Sequence, residues 1–253
     1  MRFDSPAFTD YTVRLSNVFY APGKERGEKV GDLFATIAPR YDLLNDLQSF
    51  GMHRLWKRRV VSLAAVKPND WALDLCCGTG DIAFALAQQD AEVTGLDFSE
   101  KMLDVAKARL ENADTEMPDL RFIQGDAQEL PFPDNSFDAV TMGYGLRNLS
   151  SWERGLDEMI RVAKPGGRIA VLDFGKPANA LWRKIYFTHL RCSVPVVGLL
   201  FAGRADAYAY IFESLKHYPA QWGVAEKMKE RGLKDVQIIN FVGGAMAINF
   251  GRK

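Results

Sequence analysis

The stretch LDLCCGTGDIA, residues 73 to 83, sets two cysteines and a glycine turn between an apolar strand and a helical run. Glycines at such a junction let backbone N–H groups approach a ligand near a helix N-terminus. Asp97 ends the next strand, seventeen residues beyond Gly80, where a carboxylate can accept hydrogen bonds from both hydroxyls of a ribose. Gly78, Thr79, Gly80 and Asp97 together therefore indicate an adenosine-type cofactor. GTGDIA also satisfies the GxGxxA form of the dinucleotide fingerprint, so a nicotinamide cofactor stays open at this point. A phosphate-binding P-loop is excluded, because no GK[ST] follows the glycines. The Tyr-x-x-x-Lys pair of a short-chain dehydrogenase occurs only at Tyr20 to Lys24, ahead of the glycine turn, which weakens the nicotinamide reading.

Three further features favour S-adenosylmethionine. Asp74 lies inside the first strand, where an acidic group can order the turn and face the cofactor's amino group. Asp126 and Ala127 end the third strand, where a carboxylate and a backbone N–H can read an adenine edge. Tyr144, Arg147 and Asn148 follow the fourth strand, at the carboxyl ends where open α/β sheets bind ligands.

These residues need a scaffold, and the chain supplies its pattern. Trp71 to Cys76, AEVTGLDF, DLRFIQGDA, FDAVTMGYG and RIAVLDF are short apolar strands. Between them lie helical runs over Asp81 to Gln89, SEKMLDVAKARLEN with Ser99 as N-cap, and Trp152 to Ala163. Pro165-Gly166-Gly167 reads as the turn into the fifth strand. Such alternation implies a doubly wound, mostly parallel α/β sheet covered on both faces. VQIINF and AMAINFG, separated by Val242, Gly243 and Gly244, read as an antiparallel hairpin closing one edge of a seven-stranded, Rossmann-like sheet. The combination resembles a class I methyltransferase.

The bulk numbers agree with one domain of this kind in 253 residues. Thirty-two basic residues balance thirty-two acidic ones with no long like-charged block, so nucleic acid is not an expected partner. The start has no apolar run of signal-peptide length, and CSVPVVGLLFAG, from Cys192 to Gly203, is too short to span a bilayer of about 20 residues, although it can touch one. Three cysteines and three scattered histidines offer neither a disulfide framework nor a metal set, and a reducing, cytoplasmic setting is expected.

YDLLNDLQSFGMHRLWKR, LDLCCGTGD, LPFPDNSFDAVTMGYGLRN and KPGGRIAVLDF, in that order, look like the ubiquinone/menaquinone biosynthesis C-methyltransferase family, nearest to members acting on naphthoquinones. The resemblance covers residues 29 to 253 and leaves 1 to 28 as an arm, with 29 to 66 a helical cap and 175 to 220 a helical, aromatic-rich insertion on the substrate side. It implies methyl transfer from S-adenosylmethionine to a ring carbon of a prenylated quinol: demethylmenaquinol first, with a benzoquinol or demethylphylloquinol as alternatives. It also implies peripheral contact at the inner face of the membrane, and a homodimer or a quinone-biosynthesis complex as assemblies. Thr79, Asp97, Phe98, Asp126 and Ala127 would contact the cofactor. Gly143 stands where many relatives carry serine and could serve only through backbone. The family's acid-base and positioning set falls on Asp81, Arg147 and Asn148: Arg147 would favour the quinolate by charge-assisted hydrogen bonding, Asn148 and Asp81 would orient a water or the hydroxyl, and Tyr144 would touch the ring.

Each of these has a plainer reading. Asp81 can answer the helix dipole from the first turn, and Arg147 can be a surface salt-bridge partner. His53 lies in a family motif on the substrate side, while Tyr41 either packs or closes over the cofactor. Cys76 and Cys77 point to opposite faces of a strand and act as small buryable residues, with Cys77 the one expected at the adenosyl pocket. A nicotinamide-dependent oxidoreductase and a non-catalytic scaffold of the same fold are the rival functions.

Overall fold

The computed structural model describes residues 46, 49–202, 212 and 214–253, with side chains except at 193–202. The arm 1–28, Tyr41 and the start of the helical cap lie outside the described residues. Helix α1 spans Met52–Ala64 and leads into β1, Trp71–Leu75. Then follow α2 (Asp81–Ala87), β2 (Glu92–Asp97), α3 (Glu100–Glu111), β3 (Leu120–Gln124) and β4 (Phe137–Gly143). A 3-10 turn at Leu146–Asn148 precedes α4 (Trp152–Val162) and β5 (Ala163–Phe174). Helices α5 (Ala180–Ala202) and α6 (Ala220–Glu230) come next, and β6 (Lys234–Phe241) and β7 (Met246–Arg252) close the chain.

The seven strands form one sheet in the order β3-β2-β1-β4-β5-β7-β6. The first five are parallel, and β7 lies antiparallel between β5 and β6. That is the doubly wound sheet with a terminal hairpin that the pattern implied.

Period-two alternation divides the core in two. Leu73, Leu75, Val140, Met142, Ile169 and Val171 face one side, against Leu156, Met159 and Val162 of α4 and Val224 and Met228 of α6. Ala72, Val93, Ala139 and Ala170 face the other, against Val60 of α1, Ile82 and Leu86 of α2, and Leu103 and Ala106 of α3. Buried on both faces, the central strands carry almost no polar side chain. Among the few exceptions, Asp74 and Thr141 lie side by side in register, Thr141 Oγ1 donating to Asp74 Oδ1 over 2.8 Å.

One expected turn is corrected. Pro165-Gly166-Gly167 does not separate α4 from β5, because β5 already begins at Ala163. Phe137 pairs with Ala163 and Ala139 with Arg168, so the four residues 164–167 stand opposite the single Asp138 and form a bulge. The bulge is tied down from across the sheet: Gly166 N–H donates to the Lys253 carbonyl and Lys253 N–H to the Gly167 carbonyl.

Candidate active site

Every parallel strand ends its carboxyl side at one rim, and there a cleft opens to solvent. Three short segments form one side of its lining: Cys76 and Gly78 after β1, Asp97 to Ser99 with Leu96 and Met102 around the end of β2, and Gly125 to Gln128 after β3. Gly143 to Gly145 and Asn148 to Ser150, following β4, complete the wall.

The turn after β1 is built by backbone geometry. Cys76 takes a left-handed φ of 51° and so turns the chain off the strand direction. Gly80 has φ 92°, and a Cβ there would stand 2.9 Å from the rings of both Phe84 and Phe122, so only glycine fits. Gly78 N–H donates to Asp97 Oδ2 over 2.8 Å, and Ser99 N–H to Asp97 Oδ1 over 2.9 Å. Asp97 thus clamps the glycine turn to the end of β2, while burial pushes its carboxyl above the usual range against those donors.

Of the residues expected to hold a cofactor, Gly78, Asp97, Phe98, Asp126, Ala127 and Gly143 line this cleft. Asp74, Thr79 and Gly80 do not. Asp74 is buried beneath the turn, and burial raises its carboxyl to about 7 despite the Thr141 hydroxyl and the Ala83 N–H. Thr79 is buried too, and its carbonyl accepts Arg109 Nη1 over 2.7 Å. These two residues shape the turn from behind.

The expected acid-base set is also divided. Tyr144 and Asn148 lie on the wall, whereas Asp81 and Arg147 do not. Asp81 begins α2 and is held by Lys57 Nζ at 2.7 Å and Arg109 Nη1 at 2.9 Å. Burial alone would raise its carboxyl, but the two cations outweigh it and hold it near about 2, where it is a poor proton acceptor. The plainer reading, a charged residue in a first helical turn, is the one the geometry favours.

Arg147 is not the surface partner of the plainer reading. It is 5% exposed, and its guanidinium is engaged away from the cleft wall. Nη1 donates to Asp173 Oδ1 over 3.1 Å and to the Tyr144 carbonyl over 2.8 Å, and its own N–H donates to Asp173 Oδ2 over 3.0 Å. The guanidinium carbon also lies 4.7 Å from the centre of the Phe174 ring. A buried ion pair therefore fastens the 3-10 turn to the end of β5. The residue it fastens, Tyr144, has a left-handed φ of 61° and stacks edge-on against Phe174 at 6.0 Å. Asn148 Nδ2 donates to the same Tyr144 carbonyl over 2.9 Å.

Reading the sequence missed several lining residues. Cys76, not Cys77, faces the cleft, since Cys77 packs into the opposite core layer beside Gly95. Leu96 and Met102 supply an apolar wall, Gly145 backs onto Cys76, and Gln128 joins two loops. Ser99 stands at the N-cap position of α3 as expected, yet its side chain makes no capping bond. Its hydroxyl is buried in the cleft wall with no hydrogen-bond partner among the described residues, as a group awaiting a polar ligand would be. His53 is buried on α1, where Ser49 Oγ lies 2.8 Å from its Nδ1 and burial lowers its pKa, away from the cleft. The cleft's mixed lining and the orphaned Ser99 hydroxyl suit an adenosyl group.

Comparison with known proteins converges on one family. The model of the ubiE/COQ5 methyltransferase family matches residues 23–253. The demethylmenaquinone methyltransferase of Desulfitobacterium hafniense is 41% identical over 235 residues, covering 91% of this chain and 92% of that protein. The ubiquinone/menaquinone biosynthesis C-methyltransferase UbiE of Ectopseudomonas mendocina is 40% identical, covering 92% of this chain and 91% of its own length. Among solved structures, a SAM-dependent methyltransferase from Aquifex aeolicus superposes with TM-score 0.57 at 18% identity, covering 83% of this chain and 97% of that one. The [4+2]-cyclase SpnF superposes with TM-score 0.59 at 18% identity, covering 88% and 94%. At such identities the likeness is one of fold.

Proposed function

We propose, from the premise that the chain belongs to the ubiE/COQ5 methyltransferase family and uses S-adenosylmethionine, that its acceptor is a ring carbon of a reduced, prenylated quinone. Demethylmenaquinol is the acceptor that similarity to the Desulfitobacterium protein favours, and the ubiquinone-pathway benzoquinol is the second reading, from the Ectopseudomonas protein. The observation that carries the proposal is the two-sided cleft. Asp97, Ser99 and Asp126 line one part of it with polar groups, and Phe98 and Ala127 add an aromatic ring and apolar surface, as an adenosyl moiety requires. Tyr144 and Asn148 line the other.

The bound cofactor supplies an electrophilic methyl group. The chain must do the rest. A quinol ring carbon becomes nucleophilic when a neighbouring hydroxyl loses its proton, so the site has to hold that oxygen and favour its anion. The Asn148 amide is a group on the wall able to position it, and Tyr144 lines the wall beside it. Arg147 acts through them, by fixing the turn on which both are carried. Alignment of carbon, methyl and sulfur within the cleft lowers the barrier by orientation alone. Met102, Leu96 and Leu149 give the wall apolar surface, which excludes water from the transfer.

A prenyl tail has to be collected from a bilayer, and no helix among the described residues is long and apolar enough to cross one. We place the working position at the inner face of the membrane, with α5 as the contact. Leu181 and Ile185 are 70% and 51% exposed on that helix, Arg183, Lys184 and Arg191 are exposed beside them, and its 23 residues contain no carboxylate. Apolar residues flanked by cations suit an anionic lipid surface.

The test is incubation of purified protein with methyl-labelled S-adenosylmethionine and a panel of reduced benzoquinols and naphthoquinols. Label is expected in the naphthoquinol ring, and transfer to no quinol of the panel would overturn the proposal. Flotation with anionic and with neutral vesicles examines the membrane contact; equal recovery with both would remove the role given to the α5 cations.

A further inference from the structure

Gln128 is the residue where the two walls of the cleft meet. Its amide makes hydrogen bonds in both directions, and the chemistry of the partners fixes which end is which. On one side Oε1 accepts from Ser150 Oγ over 2.7 Å and from Ser151 N–H over 2.8 Å. A backbone N–H can only donate, so the oxygen must face it. On the other side Nε2 donates to the Asp126 carboxylate, which as an anion can only accept, at 3.1 Å from Oδ1 and 3.5 Å from Oδ2. The Gln128 N–H also donates to Asp126 Oδ1 over 2.8 Å.

The two oxygens of Asp126 are therefore unequal. Oδ1 takes two close donors from Gln128, while Oδ2 has only the long contact and retains capacity for a donor from outside the chain. Asp126 is exposed on the cleft wall, so without Gln128 its carboxylate could turn among several rotamers. Ser151, held by the same amide, is the N-cap of α4, and Ser150 ends the segment that carries Tyr144 and Asn148.

We propose that Gln128 is a positioning residue for the cofactor's adenine: its amide locks Asp126 so that Oδ2 is presented to the exocyclic amino group, and ties that carboxylate to the loop before α4. This rests on the proposed cofactor site, and it assigns the selection of an amino-bearing purine to a residue that need not touch the purine. The reciprocal arrangement also means that adenine occupancy is felt, through one side chain, by the loop on the acceptor side.

Gln128→Glu separates the two halves of the bridge. A carboxylate can still accept from Ser150 and Ser151, but it repels Asp126 instead of donating to it. Gln128→Met removes both halves while keeping volume. The measurement is calorimetric affinity for S-adenosyl-L-homocysteine and for S-inosyl-L-homocysteine, which carries an oxo group in place of the amino group. Wild-type protein is expected to prefer the adenosyl form by about tenfold or more, as loss of one good hydrogen bond to a charged acceptor requires. Gln128→Glu and Gln128→Met are expected to bring that preference below about threefold, with melting within about 2 °C of wild type, since the bonds lie near the surface. A purely structural role would weaken both ligands alike and leave the ratio unchanged. An unchanged ratio in both variants, or a wild-type protein with no preference, overturns the proposal while leaving the methyltransferase assignment standing. A wild-type protein that binds neither compound overturns both.

Discussion

Replacing Arg147 by alanine separates a residue that touches the acceptor from one that holds the site together. The side chain supplies two charge-assisted bonds, to Asp173 Oδ1 and to the Tyr144 carbonyl, and a cation-π contact with Phe174. Bonds to charged groups contribute about 1.5–3 kcal/mol each, and breaking a buried ion pair from one side costs about 3–5 kcal/mol. Asp173 is not stripped bare, because Arg147 N–H and Phe174 N–H still donate to it at 3.0 and 2.8 Å. Its carboxyl is also pushed up by burial, so it can take a proton once the cation has gone. The lower end of the range, about 3 kcal/mol, is therefore expected, or on the order of 10 °C in melting temperature for a domain of this size. Because the variant is relieved by protonating Asp173, its deficit relative to wild type should grow from pH 5 to pH 8. Urea denaturation at the two pH values measures this, alongside single-turnover methyl transfer. Transfer should fall with the loosened Tyr144-Asn148 turn, and Asp173→Asn should reproduce part of the loss. A variant as stable as wild type at both pH values, yet unable to transfer, would refute the reasoning and return the guanidinium to the acceptor.

Asp81, held near about 2, adds stability that is complete above pH ~4 and disappears as pH falls toward 2; with the carboxylate three-quarters covered, this amounts to about 2 kcal/mol, and acid titration of Asp81→Asn should lack that slope. Asp74 has the opposite sign, since burial raises it to about 7 and folding is favoured while it keeps its proton. Asp74→Asn should therefore gain on wild type between pH 5 and pH 8 in melting experiments, and a gain that shrinks over that interval would contradict the assignment. A Cβ at Gly145 would stand 2.5 Å from Cys76 Cβ and 2.7 Å from its Sγ, so Gly145→Ala should weaken cofactor binding by about tenfold through the strained cleft wall. Cys76→Gly in the same chain removes both atoms at a left-handed position that suits glycine, and affinity should return; failure of that rescue in calorimetry would point to another cause.

The strands, their order of appearance and the terminal hairpin were legible because each is a local pattern, apolar runs punctuated by turn residues. The placement of Gly78, Asp97, Asp126 and Ala127 along one cleft was legible for the same reason, since a strand's carboxyl end fixes where its next residue stands. The ion pairs of Asp81 and Arg147 were not, because their partners lie far along the chain. Lys57 and Arg109 reach Asp81 from two other helices, and Asp173 meets Arg147 from the following strand. A charged residue in a motif looks the same whether it faces a substrate or an ion-pair partner. The two cysteines were assigned by strand alternation, but β1 ends at Leu75, and Cys76 stays in the core layer of Leu73 and Leu75 while Cys77 joins that of Ala72. The left-handed turn at Cys76 decides that. Proline and glycines at 165 to 167 suggested a break, but a bulge accommodates the same residues inside a strand whose pairing begins earlier.

The placement of β7 has a kinetic consequence. Its partner β6 is adjacent in sequence, with Phe241 paired to Met246, whereas its other partner β5 is distant, with Val171 paired to Asn249. Local pairs close quickly and distant ones slowly, so the hairpin should form first and then dock onto a waiting strand as a unit. Docking brings in more than two strands. The Ala245 carbonyl beside the hairpin turn accepts the Tyr186 hydroxyl, and the Val242 carbonyl accepts Trp182 Nε1, so α5 is hung from the hairpin by two backbone oxygens. The helix proposed to meet the membrane therefore takes its position from the closing hairpin of the sheet, so a change that loosens that hairpin is felt on the acceptor side.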